Sequence, residues 1–140
     1  MIHPADFVDA HRRHWQDAEL LFDQSRWANA DQLYGFSAEC GLKAVMKALG
    51  MSVELDGKPT DKQYQKHVQE LWPVFKSFVN GRSGSHYLSQ LPNGDPFNNW
   101  SQHNRYARGC HFQKADVKPH RKAACKVYLM VQQAEQDGQL

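Results

Sequence analysis

The residues whose chemistry is easiest to name stand in one short stretch, WSQHNRYARGCHF, at positions 100–112. It carries two arginines, two histidines, a cysteine and three aromatic residues, and no helical period orders them. An imidazole exchanges a proton near neutral pH, and a guanidinium holds phosphate oxygens with a planar fork that keeps its charge. Arg105 and His111 are thus a chemically adequate pair for metal-independent RNA cleavage, with Arg108 and His103 as auxiliaries.

A structural role for Arg105 is an equally good interpretation of the same stretch. Glu39 lies on the apolar side of a predicted helix, and a buried carboxylate needs a partner. A structural ion pair between Glu39 and Arg105 would satisfy it, with Tyr106 as a core aromatic residue and His111 at the surface. Trp100 lies off any apolar stripe, so we expect it in a pocket or at a dimer contact.

The composition sets the class of protein. The chain has 140 residues, of which 41% are hydrophobic and 23% charged, which predicts one domain over 1–140 with a real core. A net charge of +2 does not demand a nucleic acid. The three cysteines do not form a disulfide framework. The start MIHPADF does not read as a secretory signal, and no apolar run is long enough for a membrane, so we expect a cytoplasmic protein without membrane contact.

Metal and cofactor sites are not indicated by the spacing of the candidate residues. His11 and His14 stand three apart, but no third ligand accompanies them, and His11 is better explained as a core histidine. The segment NGRSGS has glycines without the Lys-Ser/Thr that a phosphate loop requires. We therefore expect neither a metal nor a cofactor.

The elements that position these residues are helical. Four stretches place apolar side chains at steps of three and four residues, as helices do: Phe7, His11, Trp15, Ala18 and Phe22; Ala30, Tyr34, Ala38, Leu42, Val45 and Leu49; Tyr64, Val68, Leu71, Phe75 and Phe78; Val117, His120, Ala124, Val127, Val131 and Ala134. A polar loop with a short helical turn at 87–91 separates the last two. The pattern predicts an all-α protein, an up-and-down antiparallel bundle of four long helices plus a short helix.

Helix boundaries follow from particular residues. Gly50 and Gly138 should end the second and last helices, and Asp116 should cap the last one. Pro73 lies inside the third pattern and predicts a kink or a break near Trp72.

Several segments in the predicted order resemble the HEPN superfamily (higher eukaryotes and prokaryotes nucleotide-binding). They are SAECGLKAVMKALG at 37–50, KHVQELW at 66–72 and NRYA at 104–107, followed by the last helix. The resemblance implies an all-α homodimer. It also implies ribonuclease activity through an Arg-x(4–6)-His motif, which Arg105 and His111 satisfy with five intervening residues. Because Tyr106 follows the arginine, the chain is similar to the Arg-Tyr variety.

The resemblance leaves two functions open. One is an RNA-directed endoribonuclease of a toxin–antitoxin or defence system, with Arg105 and His111 catalytic. The other is a non-catalytic module that binds a nucleotide or a partner protein, such as a nucleotidyltransferase or an antitoxin. In that case the binding residues would be Trp100, His103, Tyr106 and Arg108, and the ion pair of Arg105 with Glu39 would shape the pocket.

Overall fold

The computed structural model describes residues 2–140. Within that range the bundle consists of α1 (Phe7–Asp23), α2 (Trp27–Ala48), α3 (Val68–Val79) and α4 (Lys114–Gln136). Short 3₁₀ turns lie between them at Lys62–Tyr64, Ser85–Gln90, Gln102–Tyr106 and Gly109–His111. The predicted all-α bundle of four long helices is confirmed, with several short turns where one was expected. No helix among these residues combines the length and apolarity needed to cross a bilayer.

Helix α2 is the centre of the bundle. It packs against α1, α3 and α4, and buried residues occur on most of its circumference. Only Gln24–Arg26 separate α1 from α2, so the two run antiparallel as a tight hairpin, with Ser25 at a positive φ of 58°. Gly50, at a φ of 112°, follows α2 and stops it as predicted, because a left-handed residue closes a helix most easily when it is glycine.

The third helix begins later than predicted, and of the predicted kink or break near Trp72 the break does not occur. Tyr64 does not belong to it but stands in the preceding 3₁₀ turn, where its ring meets Phe78 edge-on at 5.4 Å. Pro73 does not break α3, which continues to Val79. Two side chains of α3 bind it to the following loop. Trp72 Nε1 and Lys76 Nζ both donate to the carbonyl of Gly94, at 3.1 and 2.7 Å.

The last helix begins earlier than its expected cap. Gln113 is the capping residue of α4, and Asp116 lies three positions further on, where its carboxylate accepts the backbone N–H of Gln113 at 2.8 Å. The predicted cap was therefore three positions too late, because an acidic residue stabilises a helix start at the third position as well as at the cap. The predicted apolar stripe of α4 is buried as a whole.

Trp100 connects the long loop to α2, and its expected place in a pocket or at a dimer contact was wrong. The side chain is 2% exposed, and its Nε1 donates to the backbone carbonyl of Asp31 at 2.9 Å. The ring lies directly on the bare backbone at Gly35, where an added Cβ would overlap the indole. This close approach explains a glycine inside the predicted helix, since only a residue without a side chain leaves room for the ring.

This contact gives a stability prediction. Gly35→Ala should lower the free energy of unfolding by about 1–3 kcal/mol, because the indole must move and strain its surroundings. Chemical denaturation measures the change. Gly109→Ala is the matched control, since a Cβ there would meet no heavy atom within 4 Å. Equal stability of the two variants would show that the indole adapts without strain.

Candidate functional site

The stretch singled out in the sequence forms an exposed segment, 102–111, between the loop and α4. It consists of the two 3₁₀ turns Gln102–Tyr106 and Gly109–His111. Ser101 fixes its start, because its hydroxyl accepts the backbone N–H of His103 at 3.1 Å. Most of its reactive side chains are exposed to solvent. The exposed residues among the predicted site residues are His103, Arg105, Tyr106, Arg108 and His111.

Arg105 is a surface residue, not the buried half of an ion pair. Its Nη1 donates to the carbonyl of Gln102 at 2.8 Å, and its guanidinium lies 4.4 Å from the ring centre of Tyr106. Tyr106 itself is 70% exposed and meets the ring of His103 edge-on. The predicted structural ion pair between Glu39 and Arg105 was therefore wrong, and so was a core position for Tyr106.

Glu39 has two other partners. Lys43, one turn further along α2, donates to its Oε2 at 3.1 Å, and His67 Nδ1 donates to its Oε1 at 2.7 Å. Both partners lie in the sequence segments 37–50 and 66–72, but nothing in the sequence pairs a helix carboxylate with a histidine 28 positions away. The half-buried carboxylate is thus satisfied without Arg105.

His67 stands at the start of α3 with a carboxylate on one ring nitrogen. The hydrogen bond that His67 donates to Glu39 raises the pKa of His67, while partial burial and the positive charges of Lys43 and Arg105 act to lower it. No hydrogen bond of Nε2 occurs within residues 2–140, and the side chain is 45% exposed. A carboxylate–imidazole pair with one free nitrogen is able to take or give a proton.

His111 lines a separate cleft of about 400 Å³. The cleft lies between the first half of α2, the loop and the start of α4, and its walls are Asp31, Asn99, Asn104, Ala107, His111, Phe112, Asp116 and His120. Arg105 is absent from these walls. One chain therefore does not bring the predicted catalytic pair into one site, since Arg105 lies on the side of His67 and His111 on the side of His120.

A buried carboxylate–histidine pair forms the floor of this cleft. His120 Nδ1 donates to Asp31 Oδ1 at 2.6 Å, and His120 Nε2 lies 2.8 Å from Asn99 Oδ1. The ring of Phe97 stacks on the imidazole, with centroids 5.2 Å apart. Sequence reasoning missed this cluster because His120 fits the apolar stripe of α4, and Asp31 stands 89 positions away.

The histidine pair considered as a metal site does not form one, and His11 lies in the core. His11 is fully buried with Nδ1 2.7 Å from the carbonyl of Ser37, and burial lowers its pKa to about 4. Its Nε2 has no partner in the described chain, so the expected core histidine is only half satisfied. Within residues 2–140 no group of three or more His, Cys, Asp or Glu side chains is placed to hold a metal ion.

Comparison with known proteins adds nothing to this geometry. No protein-family model, curated protein sequence or solved structure significantly matches the chain. Membership of the HEPN superfamily therefore stays a prediction from the short sequence segments at 37–50, 66–72 and 104–107.

The Glu39–His67 pair predicts a pH dependence. Glu39→Gln should lower the pKa of His67, because it removes the carboxylate that favours the charged imidazole. The ring-proton shift of His67 in an NMR titration measures this pKa. His103 is the internal control, since it is exposed and has no carboxylate partner among the described residues. An unchanged titration of His67 in the variant would contradict the assignment.

The Glu39–His67 pair also makes the free energy of unfolding depend on pH. The folded pKa of His67 lies above its ordinary value of 6.5, so its contribution is full below 6.5 and is lost as pH rises through the folded pKa. The difference in free energy of unfolding between wild type and His67→Gln should therefore be larger at about pH 6 than at about pH 9. A difference that grows with pH would reverse this sign.

Proposed function

We propose that this chain is an RNA-directed protein with HEPN-like organisation whose segment 102–111 contacts the phosphate backbone. One observation carries the proposal. Arg105 and Arg108 are exposed on the same short segment, and within residues 2–140 no carboxylate pairs with either guanidinium. Two arginines without a carboxylate partner on one exposed segment are suited to binding phosphate, since the guanidinium fork matches its oxygens.

An aromatic side chain supports single-stranded RNA as the ligand. Tyr106 lies between the two arginines in the sequence, is 70% exposed and is stacked on one face by the guanidinium of Arg105. Bases of unpaired RNA stack on such exposed rings, whereas a duplex buries its bases. The net charge of +2 is small, so binding would depend on this local cluster and not on the field of the whole molecule.

Cleavage of the RNA is the enzymatic form of this proposal. Arg105 would hold the charge that develops on the phosphate, and His111 would act as acid or base on the 2′-hydroxyl or the leaving oxygen. Because the two side chains belong to different surroundings in one chain, a complete site would combine Arg105 of one subunit with His111 of another. A homodimer is thus part of the enzymatic proposal.

A non-catalytic module is the second candidate, and the same separation of Arg105 and His111 favours it. Such a module would bind RNA, a nucleotide or a partner protein such as an antitoxin or nucleotidyltransferase. It needs the exposed segment but no proton transfer. The two candidates differ in one measurable property, which is whether bound RNA is cut.

Binding is tested with the exposed arginines. Arg105→Ala and Arg108→Ala should each weaken binding of unstructured RNA regardless of its sequence. Each should also reduce the slope of the logarithm of the binding constant against the logarithm of the salt concentration by about one, because one phosphate contact is lost. Fluorescence anisotropy at several salt concentrations measures both quantities. Arg13→Ala is the matched control, because Arg13 is exposed on α1 outside the segment.

The fold of the binding variants is checked at the same time. Arg105→Ala should change the free energy of unfolding by less than about 0.5 kcal/mol, since Arg105 is exposed and bonds only locally. Unaltered RNA affinity in both arginine variants, or equal losses in Arg13→Ala, would remove the basis of the proposal.

Cleavage is tested separately with the full chain and labelled RNA in the presence of a chelator. On the enzymatic proposal, wild type cuts RNA while Arg105→Ala and His111→Ala do not, because each removes one chemical role from the composite site. Equal mixing of the two inactive variants should restore part of the cleavage through heterodimers with one intact site. RNA binding without any cleavage by wild type would favour the non-catalytic module.

A further inference from the structure

The positive charge of the chain is concentrated in one part of it. Residues 102–126 hold seven of the 17 lysines and arginines but only one of the 15 aspartates and glutamates, Asp116. This leaves ten basic and fourteen acidic side chains in the rest of the chain, which is therefore net negative. The small net charge of +2 thus conceals a strongly basic region that begins in segment 102–111 and continues along α4.

Lysines recur every four residues in the first half of α4 and so lie on one side of the helix. All four are exposed, and we call them the lysine stripe: Lys114, Lys118, Lys122 and Lys126. The stripe lies on the opposite side of α4 from the buried apolar residues that pack against α2. At 1.5 Å per residue, it extends over about 18 Å of the helix axis.

The fold gains little from the lysine stripe. Within residues 2–140 no carboxylate forms a salt bridge with any of its lysines, whereas Lys43 and Lys66 each pair with a glutamate four positions away. Lysines four residues apart repel each other and destabilise a helix, and those near its start also oppose the helix dipole. Lys114 does have a packing contact, since its ammonium lies 5.8 Å from the ring centre of Phe22.

The surroundings of the stripe favour a nucleic-acid strand over a protein or a membrane. No large hydrophobic side chain is exposed between Lys114 and Lys126, a stretch that the structure describes completely. A stable protein interface and insertion into a membrane both need such side chains. A strand of RNA needs only a row of cations, because every phosphate carries a charge. Successive lysines stand about 6 Å apart along the axis, which suits neighbouring phosphates of one strand.

We infer that single-stranded RNA passes from segment 102–111 onto the lysine stripe of α4, where its phosphates meet Lys118, Lys122 and Lys126. The inference rests on the proposed RNA-directed function and adds the path of the strand beyond the segment. The segment and the helix start are directly joined, because the side-chain amide of Gln113 donates to the carbonyl of Cys110 at 3.3 Å. The arginines of the segment and the lysines of the stripe therefore belong to adjoining parts of the surface.

Removal of the stripe tests this path. The triple variant Lys118→Gln/Lys122→Gln/Lys126→Gln should bind oligouridylate at least about tenfold more weakly than the wild type. The slope of the logarithm of the binding constant against the logarithm of the salt concentration should fall by about two, because three contacts to a single strand are lost. Fluorescence anisotropy at several salt concentrations measures both quantities.

The matched control removes the same number of charges from exposed lysines outside the stripe. It is the triple variant Lys47→Gln/Lys58→Gln/Lys62→Gln. Its affinity for oligouridylate should stay close to that of the wild type. Equal losses in the two triple variants would overturn the inference, since net charge alone would then explain the binding.

The length of the strand provides a second test. An oligouridylate of about four nucleotides is held by segment 102–111 alone, whereas one of about twelve also reaches the stripe. The gain in affinity on lengthening the strand should therefore be largely lost in the stripe variant and kept in the control variant. A gain of the same size in both variants would contradict a path along α4.

Thermal unfolding shows whether the stripe serves the fold instead. The stripe variant should have a Tm equal to or above that of the wild type, because the repulsion between neighbouring lysines is removed. A Tm below those of the wild type and the control variant would assign the lysines to the fold and count against the inference.

Comparison with the arginine variants separates this inference from the proposed function. Weaker binding by the stripe variant, with unaltered binding by Arg105→Ala and Arg108→Ala, would leave the stripe and overturn the phosphate contact of segment 102–111. The reverse result would overturn the stripe and leave the RNA-directed proposal standing.

Competition identifies the occupant of the stripe. Oligoglutamate of equal charge and vesicles containing phosphatidylserine should displace labelled oligouridylate much less readily than unlabelled oligouridylate does. Displacement by either competitor as readily as by the unlabelled strand would show that the stripe serves an acidic protein or a lipid surface, and RNA would be the wrong partner.

Discussion

The contact between the indole of Trp100 and the bare backbone of α2 at Gly35 sets the position of everything that bears on function. It anchors the long loop between α3 and α4 at the centre of the bundle, and its hydrogen bond to the carbonyl of Asp31 fixes the first half of α2 against that loop. Segment 102–111 begins directly after this anchor. A ring this large, fully removed from water, also contributes substantially to the core.

Helix α2 carries two carboxylate–histidine pairs about two turns apart, and their surroundings differ in an informative way. Glu39 holds an imidazole whose second nitrogen has no partner in the described chain and whose side chain is half exposed, whereas Asp31 holds one that is buried and bonded on both nitrogens. The first pair is suited to exchanging protons with solvent or ligand. The second is suited to holding α2, the loop and α4 together, because hydrogen bonds on both nitrogens fix the imidazole.

The fold could be predicted from the sequence much further than the site. The stripes of α1, α2 and α4 depend on neighbours three or four positions away, which the periodicity of apolar residues shows. The stop at Gly50 depends on the conformation of one glycine, which its residue type indicates. Trp100, by contrast, lies off every stripe because its partner is a glycine backbone 65 residues earlier, and Glu39 meets a histidine on another helix. Such pairings have no sequence signature. The partners predicted for Arg105 and Glu39 were therefore wrong, although both are charged side chains that need one.

The short connection between α1 and α2 has a consequence for the order of folding. Contacts between these helices close a loop of only a few residues, so the hairpin forms at little entropic cost. The bonds that complete the cleft join positions 69 and 89 residues apart and become favourable only after the rest of the chain is in place. We therefore expect a nascent chain to gain its helical hairpin early and the cleft beside segment 102–111 last, so that a partly folded molecule lacks this cleft.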